Sequence, residues 1–182
     1  MWLHSEAHNS VTVSGWKETW GFSFSKDKER ILASMRESQH DAAVRHVGST
    51  SIKGMIAKPI IDILICPAKD TPLEEIAEDL QRIGYVSLGE CGRPGRIFLS
   101  KGNMPDETFY IHLCYEDNQV AKDQLLFQKI EATNPIVREN YIRMKMQLAE
   151  QFPDDREMYR NLKGLYVEGV LSAYRQAIEE KQ

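Results

Sequence analysis

Arg45-His46-Val47-Gly48-Ser49-Thr50-Ser51, followed by Lys58-Pro59-Ile60-Ile61-Asp62-Ile63-Leu64-Ile65, joins a Gly-Ser turn to an apolar segment that carries a single negative charge. Residues 59–66 form a nearly continuous apolar run, which predicts a strand covered on both faces. Inside that run stands Asp62, a charge that is costly there unless paired, hydrogen-bonded or bound to metal. Gly48 lets the backbone approach a ligand closely or take positive φ. Ser49, Thr50 and Ser51 bring hydroxyls and backbone N–H groups to one turn, a common way to hold a phosphate. Such a turn beside a strand carboxylate suited to a divalent cation would together suit a nucleotide.

Working outward, residues 16–39 read as a helix with Phe24, Ile31, Leu32 and Met35 as its apolar stripe. Residues 43–47 read as a short strand ending at the Gly-Ser turn. Thr71-Pro72-Leu73-Glu74 reads as a helix start, with Thr71 as cap, Pro72 in the first turn and Glu74 closing a capping box. Gly84 marks that helix's end. Residues 85–88, 96–100 and 108–115 read as strands, joined by turn-rich links at 89–95 and 102–106. Residues 1–14 show no clear period. From Asn118 the chain turns helical, with helices predicted over 119–132, from Asn134-Pro135 to about 152, and from an Asp154 cap to about 180. No Gly/Ser-rich linker separates these parts. The expectation is one unit over 1–182, with a mixed α/β part at about 15–117 and a helical part at about 118–182.

His46-Val47-Gly48-Ser49-Thr50-Ser51, Gly54 and Ala57-Lys58-Pro59-Ile60-Ile61-Asp62-Ile63 resemble the signature of the GrpB family of bacterial proteins. Phe109-Tyr110-Ile111-His112-Leu113, Leu125-Leu126-Phe127, Asn134-Pro135, Tyr141, Lys145, Tyr159 and Lys163 continue the resemblance over most of the chain. The family is grouped with the nucleotidyltransferase superfamily, whose pattern is Gly-Ser, a spacer, then paired acids on a strand. The resemblance implies an α/β (α+β) fold with a nucleotidyltransferase-like mixed sheet flanked by helices. It also implies a nucleotide or phosphorylated ligand held with a divalent metal, Mg²⁺ or Mn²⁺.

Nucleotidyl transfer wants two or three carboxylates converging on a pair of metal ions. Asp62 fits the first position, but residues two away share its face, and these are Ile60 and Leu64. His112 and Glu116 are the remaining candidates for a site with Asp62. That set is poorer in oxygen than Mg²⁺ prefers and closer to a site for Mn²⁺ or Zn²⁺. The expected phosphate side comprises His46, Gly48, Ser49, Thr50, Ser51, Lys58 and Arg96, with Asp62 and His112 as the chemistry-bearing pair. Lys145 and Lys163, each four residues after a tyrosine, can reach a phosphate across the cleft. Plainer readings stand beside these. Asp62 can form a structural ion pair with Lys58 or Arg96, His112 can be a hydrogen-bonded core histidine, and the helix lysines can face solvent. An enzyme of the nucleotidyltransferase type and a non-catalytic ligand-binding module both remain open, and Leu64 favours the second.

The 42% hydrophobic content is ordinary for a globular protein, and the formal net charge of −4 gives no general basic face for nucleic acid or anionic membrane. Cys66, Cys91 and Cys114 include no CxxC pair, so a zinc knuckle or redox dithiol motif is not indicated, and Cys66 and Cys114 read as reduced core thiols. With no secretory signal pattern and no run of roughly 20 apolar residues, the expected compartment is the cytoplasm.

Overall fold

The computed structural model describes residues 10–102 and 108–180. Residues 1–9 of the stretch without a clear period, read as an edge strand or a loose tail, and most of the 102–106 link therefore lie outside the described residues, as do His4 and His8. Helix α1 runs over Glu18–Glu37. Trp20, Ile31 and Met35 repeat at helical spacing and are buried, with Phe24 and Leu32 packed partly against the same core. Strand β1 (Ala42–Val47) pairs antiparallel with β2 (Ile60–Pro67). After helix α2 (Leu73–Arg82) come β3 (Val86–Ser87), β4 (Ile97–Lys101) and β5 (Thr108–Leu113). The sheet order is β1-β2-β5-β4-β3, mixed, with β5 parallel to β2 and antiparallel to β4. Among the described residues five helices flank this sheet, and none is long and apolar enough to cross a membrane.

The two faces of β2 have separate roles. Ile61, Ile63 and Ile65 are fully buried with Leu99, Ile111 and Leu113 under α1 and α2. Burying each such side chain is worth about 1.5–3 kcal/mol. On the other face Val47, Leu64, Cys66 and Cys114 pack with Ala121. Ala121 belongs to α3 (Gln119–Thr133), which is followed by α4 (Pro135–Gln151) and α5 (Arg156–Glu179). These three helices cover the face that carries Asp62. Asn118 and Asn134 cap α3 and α4 through their side-chain oxygens.

Three local expectations are corrected. Asp155, not Asp154, caps α5, accepting from Met158 N–H at 2.9 Å. The Asp155 N–H itself closes a turn onto the Phe152 carbonyl, which delays the helix by one residue. Thr71 does not cap α2; its N–H closes a turn onto Ala68, Pro72 occupies the cap position, and no side chain caps the helix. The strand expected at 85–88 shrinks to two residues because Tyr85 N–H is tied back to Leu80 at the end of α2.

Asp27 falls on the buried stripe of α1, 4% exposed, and accepts from the Tyr85 hydroxyl and the Lys101 ammonium. Burial, then this carboxylate, push the Tyr85 phenol far up. Asp27→Ala leaves a mostly buried ammonium without its counter-charge, so we expect a loss of about 3 kcal/mol in urea unfolding. A loss below about 0.5 kcal/mol, the range of ordinary surface substitutions, would contradict this account.

Candidate functional site

The Gly48–Ser51 turn is built against Asp62. Val47 pairs with Asp62 across β1 and β2, which sets Gly48 over the carboxylate. Gly48 has φ 70°, and a Cβ there would stand 2.6 Å from Asp62 Oδ2. The turn is closed from within. Ser51 Oγ donates to Gly48 O at 2.6 Å and accepts from Gln128 Nε2 at 2.7 Å. Thr50 Oγ1 donates to Ile60 O and accepts from His46 Nε2, both at 3.0 Å. The hydroxyls of Thr50 and Ser51 therefore shape the turn, contrary to the expected ligand role. His46 is also corrected: it pairs with Ile63, so its ring lies on the α1 face of the sheet, stacked on Phe24 at 4.7 Å. Burial pushes that imidazole down to about 4, which keeps it neutral.

Asp62 and His112 do share a face. His112 lies two residues beyond Tyr110, the parallel partner of Asp62, and so on the same face; its Nε2 is 3.4 Å from Asp62 Oδ1. Arg96, only 7% exposed, brings Nη1 to 3.1 Å from His112 Nδ1. A guanidinium only donates, so Nδ1 must accept and the proton sits on Nε2, facing Asp62. The other arm of Arg96 donates to the carbonyls of Glu90 and Cys91 and holds the 89–95 loop. Arg96 is thus not a partner of Asp62; it sets the tautomer of His112.

This tautomer corrects the expected metal set. The ring nitrogen of His112 nearest Asp62 carries a hydrogen and offers no lone pair to a cation. Glu116 is turned away: its carboxylate bonds to Arg45 Nη2 at 2.8 Å with its side chain 65% exposed. Among the described residues, no group of three or more His, Cys, Asp or Glu is placed to hold a metal ion. Asp62, His112 and Glu116 do not fit a protein-held divalent cation.

The structure instead surrounds Asp62 with cations. Lys145, on α4 and 3% exposed, donates to Ser49 Oγ at 2.9 Å and to the Ile56 carbonyl. Burial, then the neighbouring Lys163, lower its ammonium to about 7 against the pull of Glu131 and Asp62. Lys58, just before β2, lies 4.9 Å over the Tyr159 ring. Burial, then Arg156 and Lys163, lower it to about 7 as well. Lys163, on α5, is lowered by burial and held back by Asp62 and Glu131. Arg156 donates to Tyr110 Oη at 2.9 Å on the same face of the sheet. Glu131 is 1% exposed, burial raises it to about 7, and its Oε1 has no hydrogen-bond partner among the described residues. Four cationic side chains thus face two acids around one turn.

Of the expected ligand residues, Gly48, Ser49 and Lys58 join Asp62 and His112 here. Arg96 acts through His112, and His46, Thr50 and Ser51 do not take part. Lys145 and Lys163 were marked by their common spacing from Tyr141 and Tyr159, and the structure brings both in. Glu131 carried no signal, because an acid on a helix reads as solvated until the packing is known.

Two outcomes check this geometry. Gly48→Ala forces a side chain onto the Asp62 carboxylate at a backbone angle that costs about 1 kcal/mol or more for a non-glycine residue, so we expect a lower Tm, with Asp62→Ala in the same chain partly restoring it. Nitrogen chemical shifts of His112 should show the Nε2–H tautomer in the native protein and a tautomer mixture in Arg96→Met; a native Nδ1–H signal would refute the Arg96 assignment.

The family model described as GrpB protein matches residues 10–173. The chain is 32% identical over 157 residues to the UPF0157 protein YqkA of Bacillus subtilis, covering 86% of this chain and 45% of that protein. The chain thus spans less than half of YqkA. It is 30% identical over 159 residues to the glutamate-rich protein GrpB of Alkalihalophilus pseudofirmus, covering 85% of this chain and 90% of that one. The crystal structure of the conserved protein GrpB from Enterococcus faecalis matches with a TM-score of 0.75 at 29% identity, over 90% of this chain and 99% of that chain. With a family match along nearly its whole length, and the same fold in a crystallised member, the chain belongs to the GrpB family.

Proposed function

We propose that the Gly48–Ser49 turn and the Asp62 face of the sheet, beside helices α4 and α5, bind a phosphorylated small molecule, with nucleotides the first class to test. The observation that supports this is the crowding of Lys58, Lys145 and Lys163, all at least half-buried, beside the Gly48–Ser49 turn. Like charges held together away from water are costly. A phosphate among them offsets that repulsion and restores their charged forms, and ammonium–phosphate hydrogen bonds are among the stronger polar contacts. Asp62 is the acceptor in a ring of donors, which suits a hydroxyl on the same ligand.

The reading is one of binding. Nucleotidyl transfer, the activity the family resemblance implies, needs carboxylates converging on metal ions. Leu64 follows Asp62 on its own face, and Tyr110 stands opposite it on β5. The cations around Asp62 compete for the charge such ions would need.

Titration calorimetry with ATP and with inorganic phosphate tests the proposal. Lysines lowered to about 7 in the free protein are raised again by a bound anion, so binding near pH 7.5 should take up protons. Affinity should fall as pH rises from about 7 to 9, where the free amines are neutral and must be charged on binding. Lys145→Met should weaken binding by about ten- to a hundredfold, the loss of one charged hydrogen bond. Asp62→Asn separates this reading from a metal-centred one. Here it should leave the fold intact and strengthen inorganic phosphate binding; in a metal site it should abolish a Mg²⁺-dependent affinity. Absence of binding to either probe at millimolar concentration would overturn the proposal.

A further inference from the structure

We infer that Cys66 and Cys114 are a redox pair that closes to an intrachain disulfide when the protein meets a small hydroperoxide. β2 and β5 pair in parallel, with Leu64 opposite His112 and Ile65 opposite Leu113. The ladder continues through Cys114 N–H to Ile65 O at 3.1 Å, so the two cysteines occupy the next register step. Both project into the same buried cluster under α3. Strands in this arrangement lie about 4.7–4.9 Å apart, inside the Cα range of disulfides but wider than their usual Cβ spacing of about 3.8 Å. The bond is therefore reachable with a small closure and easily reduced again.

The pair is chemically unequal. Arg45 pairs with Leu64 across β1 and β2, which sends its guanidinium to the cysteine face. One arm binds Glu116, while Nη1 is buried with no hydrogen-bond partner among the described residues. The Arg45 charge on this face favours a thiolate at the pair. Cys114 is fully buried, while Cys66 is 6% exposed and is the thiol a small peroxide reaches first. Cys66 is thus the attacking group and Cys114 the resolving one. The Cys66 thiolate attacks the outer peroxide oxygen, the O–O bond breaks, and the leaving oxygen takes a proton to depart as alcohol or water. Cys66 becomes a sulfenic acid. The Cys114 sulfur then attacks Cys66, and the expelled hydroxide takes the Cys114 proton as water. Two thiols and one hydroperoxide give a disulfide, an alcohol or water, and a further water. The cross-link ties together the two strands that carry Asp62 and His112.

Cys91 is exposed and lies outside the pair, so the test uses Cys91→Ser protein. The folded protein is treated with hydrogen peroxide, alkylated, and mapped by mass spectrometry. The expected product is a Cys66–Cys114 linked peptide lacking two hydrogens and restored by dithiothreitol. Cys114→Ala should stop at a Cys66 sulfenic acid trapped by dimedone. Arg45→Met should slow the reaction roughly tenfold through loss of thiolate. If either variant fails to fold, the peptide map of the Cys91→Ser protein alone decides. Two free thiols after peroxide treatment, or a linked peptide formed only in urea, would overturn the inference.

Discussion

The Asp62 carboxylate rests against the α-carbon of Gly48, in a strand whose other side chains are almost all buried hydrocarbon. This contact needs a residue without a Cβ at positive φ, and it needs β1 and β2 in the register that sets Val47 opposite Asp62. Once that register holds, the rest of the site follows. Ser49 is presented to Lys145, and Thr50 and Ser51 turn inward to lock the loop. The Asp62 carboxylate, its side chain 28% exposed, also attracts the lysines that α4 and α5 bring to the turn.

The sheet divides structural from candidate functional chemistry. Its α1 face is a hydrocarbon core whose polar groups, Asp27 with Lys101 and His46 with Thr50, are satisfied internally. Its other face gathers titratable groups that are not all satisfied: Glu131 lacks a partner for one oxygen, and three lysines crowd one turn. Unspent polar capacity on one face, set on a rigid strand pair, is the pattern of a binding site. The same face carries the two thiols, so oxidation and ligand binding would act on one pair of strands.

Arg96 shows how a residue outside direct ligand contact decides what a site can do. By donating to His112 Nδ1, it makes the imidazole a donor toward Asp62. That single hydrogen bond changes the reading of the Asp62–His112 pair from two metal ligands to a donor and an acceptor. In that form the pair turns no ring lone pair toward Asp62.

Much was legible in the chain alone. The apolar run around Asp62 required a strand covered on both faces, Asn118 and Asn134 announced helix starts, and the Gly-Ser turn leading to Asp62 was visible, because each depends on local backbone chemistry or a two-residue period. Family membership was legible from the same blocks. Which hydroxyl meets Lys145 was not, since Ser49, Thr50 and Ser51 differ only in where a tight turn points them. The place of His46 depended on strand register, which sends neighbouring residues to opposite faces. Glu116, Arg96 and Glu131 were decided by packing alone: their partners lie far along the chain, and only the folded sheet and helices bring opposite or like charges to one point. The sequence determined the strand, the turn and the acid; the tertiary structure decided that cations, rather than further acids, surround it, because electrostatics acts through space and not along the chain.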